Sequence, residues 1–215
     1  MKKIVVLGGT FNPPTFEHLN LMLRAIKDLN AEFGIFVPAS DSAVRQKIEK
    51  QPNNEIIYSQ IRRYQMLSRL CKTRGNRPVM VDVCEYGKNG DEHIYDILTT
   101  IQSQYPEHTI IYIIDRETLK DVPTWRKSAE ILQQFRLAIA TRNGRSEWSE
   151  IVKIINTNEA FRTNRSHFWQ FPSMEGVSEK SSLLARELIR KKEWDHLADI
   201  IPNDVLNIIW NVDRK

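Results

Sequence analysis

A short apolar run leads directly into a loop with two glycines at the start of this 215-residue chain. The run is Ile4-Val5-Val6-Leu7, and the loop after it begins Gly8-Gly9-Thr10-Phe11-Asn12-Pro13-Pro14. From Leu19 onward, apolar residues recur at intervals of three and four. A β-branched run that ends at glycine is typical of a buried strand, and the later spacing is typical of an amphipathic helix. The segment therefore predicts a strand, a tight loop and a helix in succession.

The same alternation continues along the chain and predicts the fold class. Apolar, β-branched runs that predict strands are Lys3–Leu7, Phe33–Val37, Val79–Cys84, Thr109–Ile114 and Arg136–Ala140. Helical patterns lie at Leu19–Leu29, Tyr58–Leu70, Tyr95–Ile101 and Trp125–Phe135. Strands that alternate with helices favour a parallel sheet with right-handed crossovers. We therefore expect an α/β protein with a Rossmann-like, doubly wound parallel sheet and helices on both faces.

The last third of the chain predicts one strand and a helical end. The strand lies at Phe168–Phe171, and helices are expected at Glu179–Lys191, Glu193–Ile200 and Asn203–Val212. Two polar segments, Pro38–Asn54 and Thr141–Glu150, are expected to be loops. We expect one domain over residues 1–215, with a parallel-sheet core in 1–150 and a C-terminal part in 151–215.

The glycine loop carries the features of a phosphate site. Gly8 and Gly9 let the backbone approach a ligand without an intervening Cβ. Thr15 and His18 are three residues apart, so they share one face at the start of the predicted helix. The exposed amides and the positive dipole end there favour an anion. Asn12 is expected to shape the turn together with the prolines that follow it.

Composition excludes several classes of protein. The chain is 41% hydrophobic and 27% charged, which is typical of a soluble globular protein. No apolar run approaches the roughly 20 residues that span a bilayer. Its 31 basic and 27 acidic residues give a net charge of +4, which suits a small polyanion, and no arginine-rich or aromatic-basic pattern indicates nucleic acid. Cys71 and Cys84 form neither a disulfide scaffold nor a metal motif, so a cytoplasmic location is expected.

Two motifs and the segment between them resemble the nucleotidylyltransferase superfamily. Residues 8–18 are similar to the signature Gly-Gly-[Thr/Ser]-Phe-Asp-Pro-x-[His/Thr]-x-Gly-His. Residues 181–186, Ser-Ser-Leu-Leu-Ala-Arg, are similar to a second signature, Ser-Ser-Thr-x-Ile-Arg. Within the superfamily the chain most resembles the nicotinate (or nicotinamide) mononucleotide adenylyltransferases. Arg63, with Met66 and Leu67, is in register with a helix of that family.

The resemblance implies transfer of the adenylyl group of ATP, with Mg²⁺, to a pyridine mononucleotide in NAD biosynthesis. The mononucleotide is the acceptor, and pyrophosphate leaves. The implied catalytic residues are His18, Thr15 and Arg186. The implied ATP-binding and phosphate-binding residues are Gly8, Gly9, Thr10, Phe11, Ser181 and Ser182. A magnesium ion would bridge phosphates rather than occupy a protein cage, and no metal-binding residue is expected.

The acceptor half of the pattern departs from the family. Trp125, after Pro123, corresponds to a family tryptophan that stacks on the pyridine ring, although core packing is an equal alternative. Arg45 and Arg142 occupy the positions of substrate-loop residues, and a solvated loop charge is the favoured alternative for Arg45. Asp115-Arg116-Glu117 replaces Gly-Ala-Asp in the acceptor half, and Leu183 replaces the threonine of the second signature, which belongs to the triphosphate half.

These departures leave other functions open. Another nucleotidylyltransferase, with pantetheine phosphate, a flavin mononucleotide or a cytidylyl acceptor, is the nearest alternative. A catalytically silent ATP-binding sensor is the alternative from a different class. The expected partners are ATP and a pyridine mononucleotide, without nucleic acid or membrane, and a homo-oligomer is possible.

Overall fold

A computed structural model of the chain describes residues 2–49, 56–73, 78–82, 94–141, 145–164, 167–171 and 180–213. Its strands are β1 (Lys2–Gly9), β2 (Phe33–Pro38), β3 (Val79–Val81), β4 (His108–Asp115), β5 (Arg136–Ala140) and β6 (Phe168–Phe171). The helices of the first half are α1 (Phe16–Asp28), α2 (Asp41–Glu49), α3 (Gln60–Lys72), α4 (Ile94–Gln104) and α5 (Arg116–Asp121). Those of the second half are α6 (Ser128–Gln134), α7 (Arg145–Thr157), α8 (Glu159–Thr163), α9 (Lys180–Lys191), α10 (Trp194–Ala198) and α11 (Asn203–Asp213). A 3₁₀ turn, Val122–Thr124, lies between α5 and α6.

The strands form a six-stranded sheet in the order β3-β2-β1-β4-β5-β6. The β1–β4, β4–β5 and β5–β6 pairs are parallel, and the first pair runs in register from Lys2 opposite His108 to Val6 opposite Tyr112. This order is that of the doubly wound, Rossmann-type sheet, so the predicted fold class is confirmed. In such sheets, ligands bind beyond the carboxyl ends of the strands where the strand order reverses, which here is between β1 and β4.

The inner strands are covered on both faces. Ile4, Val5, Val6 and Leu7 are buried in succession in β1, and the five residues Ile110–Ile114 are buried in succession in β4. Because successive side chains of a strand point to opposite faces, an unbroken buried run requires packing on both sides. This explains why the strand sequences are continuous apolar runs rather than alternating patterns.

The predicted strands are confirmed, except that β3 ends at Val81 and the described residue Asp82 is not in a strand. Three of the other predicted segments are wrong. Pro38–Asn54 is not a loop throughout, because α2 occupies Asp41–Glu49. Ser40 Oγ accepts from the Ala43 amide at 3.3 Å at the start of that helix. Val44 is fully buried there and lies among polar residues, so the apolar periodicity is too weak to reveal a helix. Val83 and Cys84, the last two residues of the predicted strand Val79–Cys84, lie outside the described residues.

The other two corrections concern helix boundaries. Thr141–Glu150 contains the start of α7, which begins at Arg145. The helix predicted at Trp125–Phe135 begins only at Ser128. Trp125 has extended backbone, and Lys127 has a φ of 58° in the left-handed region, which interrupts the helical path before α6.

The chain divides into two compact units. One consists of Met1–Leu7, Arg24–Gly34 and Glu92–Gly176; the other consists of Gly8–Leu23, Ile35–Asp91 and Val177–Lys215. The second unit contains the glycine loop, α3 and α9, and therefore both candidate phosphate motifs. The predicted single domain and its division at residue 150 stay predictions. No helix in the described part of the chain has the length and apolar character needed to cross a membrane.

Candidate active site

The glycine loop lies between the end of β1 and the start of α1. Phe11 has a φ of 45°, and its ring is buried against the rings of His18 and Phe36, with centroids 5.1 Å and 5.3 Å away. A Cβ on Gly9 would lie 3.1 Å from Cζ of Phe11. Gly9 is therefore required by the packing of the Phe11 ring inside the loop. Gly8, Gly9 and Thr10 are partly exposed, as a ligand-binding backbone requires.

Thr15 and His18 are joined at the start of α1. The Thr15 amide donates to Nδ1 of His18 at 3.1 Å, and Oγ1 of Thr15 lies 2.8 Å from the same nitrogen. Because a backbone amide can only donate, Nδ1 must be an unprotonated acceptor, and the ring proton belongs on Nε2. Burial lowers the pKa of His18 from 6.5 to about 4. His18 is therefore a neutral imidazole near pH 7, with Nε2–H as its remaining donor.

Two carbonyl groups of the glycine loop accept hydrogen bonds from donors inside the protein. The Gly9 carbonyl accepts from the Ala39 amide at 2.9 Å, and the Thr10 carbonyl accepts from Nη1 of Arg63 at 2.9 Å. Carbonyl oxygens are the negative ends of the peptide dipoles and repel an anion. Their engagement with internal donors therefore favours a loop surface of amide N–H groups.

The second motif engages the same loop. Ser182 lies on α9 and donates through Oγ to the Pro13 carbonyl at 2.9 Å. Arg186, one turn later, is 8% exposed and donates through Nη1 to the Asn12 carbonyl. Burial lowers the pKa of Arg186 below its ordinary value. The structure thus brings together the two motifs, which are more than 160 residues apart in sequence. Ser181 lies in the first turn of α9, and its side chain is outside the described part.

Asn12 shapes the loop, as predicted from the prolines beside it. Its Nδ2 donates to the Ile56 carbonyl at 2.8 Å, and its Oδ1 accepts from the Tyr58 amide at 2.9 Å. The side chain is fully buried. Its hydrogen bonds therefore attach the glycine loop to the segment that precedes α3.

Arg63 is the functional candidate whose role the sequence reasoning missed. It is fully buried on α3 and donates to the Tyr58, Thr10 and Ala39 carbonyls at 3.0, 2.9 and 2.6 Å. Its Nη2 also lies 3.0 Å from Oδ1 of Asp41. The sequence did hold a signal, because Arg63 occupies the same helix face as the apolar Met66, Leu67 and Leu70. A cation on such a face requires internal partners.

Among the residues that the structure describes, those expected to bind the acceptor form no hydrogen bond to the glycine loop or to α9. Trp125 is partly buried, and its ring packs edge to face against Tyr112 with centroids 6.3 Å apart. Arg45 is exposed and lies on the helix α2, not in a loop. Arg142 lies outside the described residues.

The altered Asp-Arg-Glu segment has structural roles at the start of α5. Oδ1 of Asp115 accepts from the Thr118 amide at 2.7 Å and caps the helix. Arg116 forms ion pairs with Glu117 at 2.8 Å and with Glu150 of α7. These side chains fix α5 and connect it to α7. Within the described ranges, no group of three or more His, Cys, Asp or Glu residues is arranged to hold a metal ion.

Comparison with known proteins assigns the class. Residues 6–188 match the cytidylyltransferase-like family model, so the chain belongs to the cytidylyltransferase-like family. It is 25% identical over 209 residues to a probable nicotinate-nucleotide adenylyltransferase of Lachnoclostridium phytofermentans, covering 97% of this chain and 96% of the relative. It is 27% identical over 209 residues, with the same coverage, to a protein of the same name from Clostridium acetobutylicum.

Solved structures share the fold. The Plasmodium falciparum nicotinic acid mononucleotide adenylyltransferase complexed with NaAD superposes with a TM-score of 0.70 at 15% identity. The match covers 99% of this chain and 97% of that one. The same enzyme complexed with APC gives the same TM-score. The family model and the relatives confirm the family resemblance drawn from the two sequence motifs, and the solved structures confirm the fold.

Proposed function

We propose that the protein transfers the adenylyl group of ATP to nicotinate (or nicotinamide) mononucleotide, forming the dinucleotide and releasing pyrophosphate in NAD biosynthesis. The observation that carries this proposal is the junction of the two motifs. Ser182 and Arg186 of α9 hydrogen-bond to the backbone of the loop that precedes His18. The names of the full-length relatives supply the substrate class.

The reaction requires little covalent help from the protein. A phosphate oxygen of the acceptor attacks the α-phosphorus of ATP, and the bond to the β-phosphate oxygen breaks as pyrophosphate leaves. Catalysis is then positioning together with stabilisation of charge on the phosphoryl oxygens. A magnesium ion enters with ATP as part of the substrate and is held by phosphate oxygens.

His18 and Thr15 are proposed to bind the phosphate chain at the start of α1. The proton on Nε2 of His18 is a donor for a phosphoryl oxygen, and the Thr15 amide holds the ring in that tautomer. The backbone amides of Gly8, Gly9, Thr10 and Phe11 and the N-terminal end of the helix dipole add to the attraction. Further N–H groups of Arg186 and the hydroxyl of Ser181 complete the proposed triphosphate site. Ser182, whose hydroxyl donates to the Pro13 carbonyl, supports the site by holding the loop.

Trp125 is proposed to stack on the pyridine ring of the acceptor, with Arg45 and Arg142 as further acceptor residues. The partly buried indole of Trp125 supports this role for that residue. A Trp125→Phe substitution keeps an aromatic face, whereas Trp125→Ala removes it. We expect Trp125→Ala to raise the KM for the mononucleotide at least tenfold, with little change in the KM for ATP, and Trp125→Phe to have a smaller effect. Equal KM values in all three proteins would contradict the stacking role.

The decisive experiment supplies ATP and magnesium with a panel of acceptors. The panel contains both pyridine mononucleotides, pantetheine phosphate and flavin mononucleotide, and pyrophosphate release is measured for each. We expect release with a pyridine mononucleotide. Release with another acceptor alone would assign the protein to a different nucleotidylyltransferase activity.

A nucleotide sensor is the second candidate, and one observation favours it. Asp115 and Arg116, at the altered acceptor signature, are engaged in helix capping and ion pairs. A sensor would bind ATP in the panel experiment and release no pyrophosphate with any acceptor.

We also propose a reducing, cytoplasmic setting. Cys71 is a free thiol buried on α3, and burial raises its pKa to about 11. A thiol in that environment is unreactive, which agrees with a chain that needs no disulfide.

A further inference from the structure

Arg63 contacts the glycine loop from inside the protein and not as a ligand-facing side chain. Its guanidinium is fully buried, and Nη1 lies 2.9 Å from the Thr10 carbonyl oxygen. The same side chain reaches the segment after β2, where Nη2 donates to the Ala39 carbonyl at 2.6 Å and to Asp41 at 3.0 Å. The rigid, planar guanidinium of Arg63 therefore connects α3 to two segments far from it in sequence, the glycine loop and the start of α2.

The contact between Arg63 and the Thr10 carbonyl determines which way the next backbone amide points. In a planar trans peptide, the carbonyl and the following N–H point in opposite directions. Because Arg63 holds the Thr10 carbonyl on the inner side, the Phe11 N–H is directed toward the other side of the loop. The Ala39 amide holds the Gly9 carbonyl in a similar way, at 2.9 Å, and the Ala39 carbonyl in turn accepts from Arg63.

The positive charge of Arg63, like the orientation of the loop amides, favours a bound anion. The guanidinium stays protonated in proteins, so a full positive charge is buried directly behind the loop. The side chain of its carboxylate partner Asp41 is 44% exposed, so water screens that carboxylate more than it screens the guanidinium. Both the geometry and the charge of Arg63 therefore favour a bound polyanion.

We propose that Arg63 is a positioning residue for the triphosphate of ATP. It keeps the Thr10 carbonyl away from the ligand and fixes the glycine loop to the start of α2, so that the loop presents its amides to the phosphates. The inference rests on the proposed adenylyltransferase function, and it adds a residue that acts through the loop without touching the nucleotide.

The test is the Arg63→Lys variant, which keeps the charge but loses the fork that reaches several acceptors. ATP binding is measured by calorimetry with magnesium and without acceptor, well below the melting temperature. We expect the Kd for ATP to rise 10- to 100-fold, while the KM for the acceptor changes less than threefold. Parent-like ATP affinity in a folded Arg63→Lys protein would overturn the proposal.

Two controls separate positioning from general stability. Met66→Val removes buried volume from the same helix and is expected to lower the Tm while leaving the Kd for ATP within twofold of the parent. Arg62→Lys makes the same chemical change one residue away, on a partly exposed side chain, and is expected to leave both quantities unchanged. If Met66→Val weakened ATP binding as much as Arg63→Lys does, the effect would be one of stability, and the proposal would fail.

Asp41→Ala decides the question if Arg63→Lys does not fold. Asp41 is at the exposed start of α2, so its loss leaves the core intact. We expect a 3- to 10-fold rise in the Kd for ATP, because the guanidinium loses a partner that fixes its orientation toward the Thr10 carbonyl. This loss outweighs the removal of a negative charge that water already screens. An unchanged or lower Kd would overturn the proposal. Failure of the proposed function has a different signature: the parent protein itself would not bind ATP, or would release no pyrophosphate.

Discussion

His18 is the residue on which the proposed chemistry most depends. His18→Asn is the informative substitution, because Oδ1 of asparagine can take the place of Nδ1 and accept from the Thr15 amide. That variant loses the Nε2–H donor but keeps the hydrogen bond at the helix start. We expect kcat to fall at least 100-fold with a nearly unchanged Tm, as is usual for loss of one preorganised donor.

His18→Ala is the companion variant, and we expect it to fold and to lose turnover by at least the same factor. It also removes the acceptor for the Thr15 amide, which costs about 1 kcal/mol of stability. Near-normal turnover in either variant would exclude His18 from the reaction.

The lowered pKa of His18 makes a second prediction at the residue scale. The group has a pKa of about 4 in the folded chain and 6.5 ordinarily, so the unfolded chain binds more protons between these values. Stability contributed by the neutral ring is therefore fully present above pH 6.5 and is lost as the pH falls toward 4, by about 1–3 kcal/mol.

The measurement is the free energy of unfolding of the parent and of His18→Asn across pH 4 to 8. We expect the parent to lose more stability than the variant between pH 6.5 and pH 4. We also expect kcat/KM of the parent to show no inflection near pH 6.5, because His18 is already neutral there. Identical stability profiles for the two proteins would refute the assigned protonation state.

At the scale of elements, the loop between β1 and α1 packs around the buried ring of Phe11. In Gly9→Ala, the new Cβ would lie 3.1 Å from Cζ of Phe11, which is itself packed against His18 and Phe36. The ring must shift, and His18 with it. We expect a loss of about 1–3 kcal/mol in the free energy of unfolding, measured by urea denaturation, and weaker ATP binding.

The double variant Gly9→Ala/Phe11→Leu tests the cause of that effect. Leucine is smaller at the clashing end, so part of the lost stability should return relative to the Phe11→Leu single variant. Strictly additive effects would show that the Phe11 ring is not the obstacle.

The connection of α9 to the loop is also testable as an element. Ser182→Ala removes the donor to the Pro13 carbonyl, whereas Ser182→Thr keeps a hydroxyl at that position. We expect the KM for ATP to rise three- to tenfold in Ser182→Ala and by a smaller factor in Ser182→Thr. Leu183→Ala, on an exposed neighbouring side chain, is the matched control and should not change the KM.

At the scale of the whole molecule, binding of the triphosphate should stabilise the fold. A ligand at 100 times its Kd contributes about 2.7 kcal/mol. For a chain of this size, that corresponds to a rise in Tm of roughly 5–10 °C. We expect this shift with ATP and magnesium, measured by differential scanning fluorimetry, and a smaller shift with AMP at the same concentration, because AMP lacks the β- and γ-phosphates. An equal shift with AMP would place the main contacts away from the triphosphate.

The sequence by itself determined the features that depend on a periodic apolar pattern or on residues close together in the chain. The apolar runs predicted the inner strands because residues buried on both faces must be continuously apolar, and β4 and β5 were located to within one residue. The bounds of β6 were also predicted correctly. The glycine loop, Thr15 and His18 were recognised because their spacing is short and their geometry follows from a helix start. The helix α2 was missed because most of its residues are polar and Val44 is a buried residue without a regular apolar pattern around it.

Only the tertiary structure decided which donors hold the loop. The Thr10 carbonyl is bound by Arg63, and the Asn12 carbonyl by Arg186, at separations of 53 and 174 residues. Such contacts depend on how the chain brings its helices together, and no local propensity encodes them. The protonation state of His18 was decided in the same way, because burial and the direction of the Thr15 amide determine it. The residue types were visible in the sequence, and their three-dimensional neighbours give them their roles.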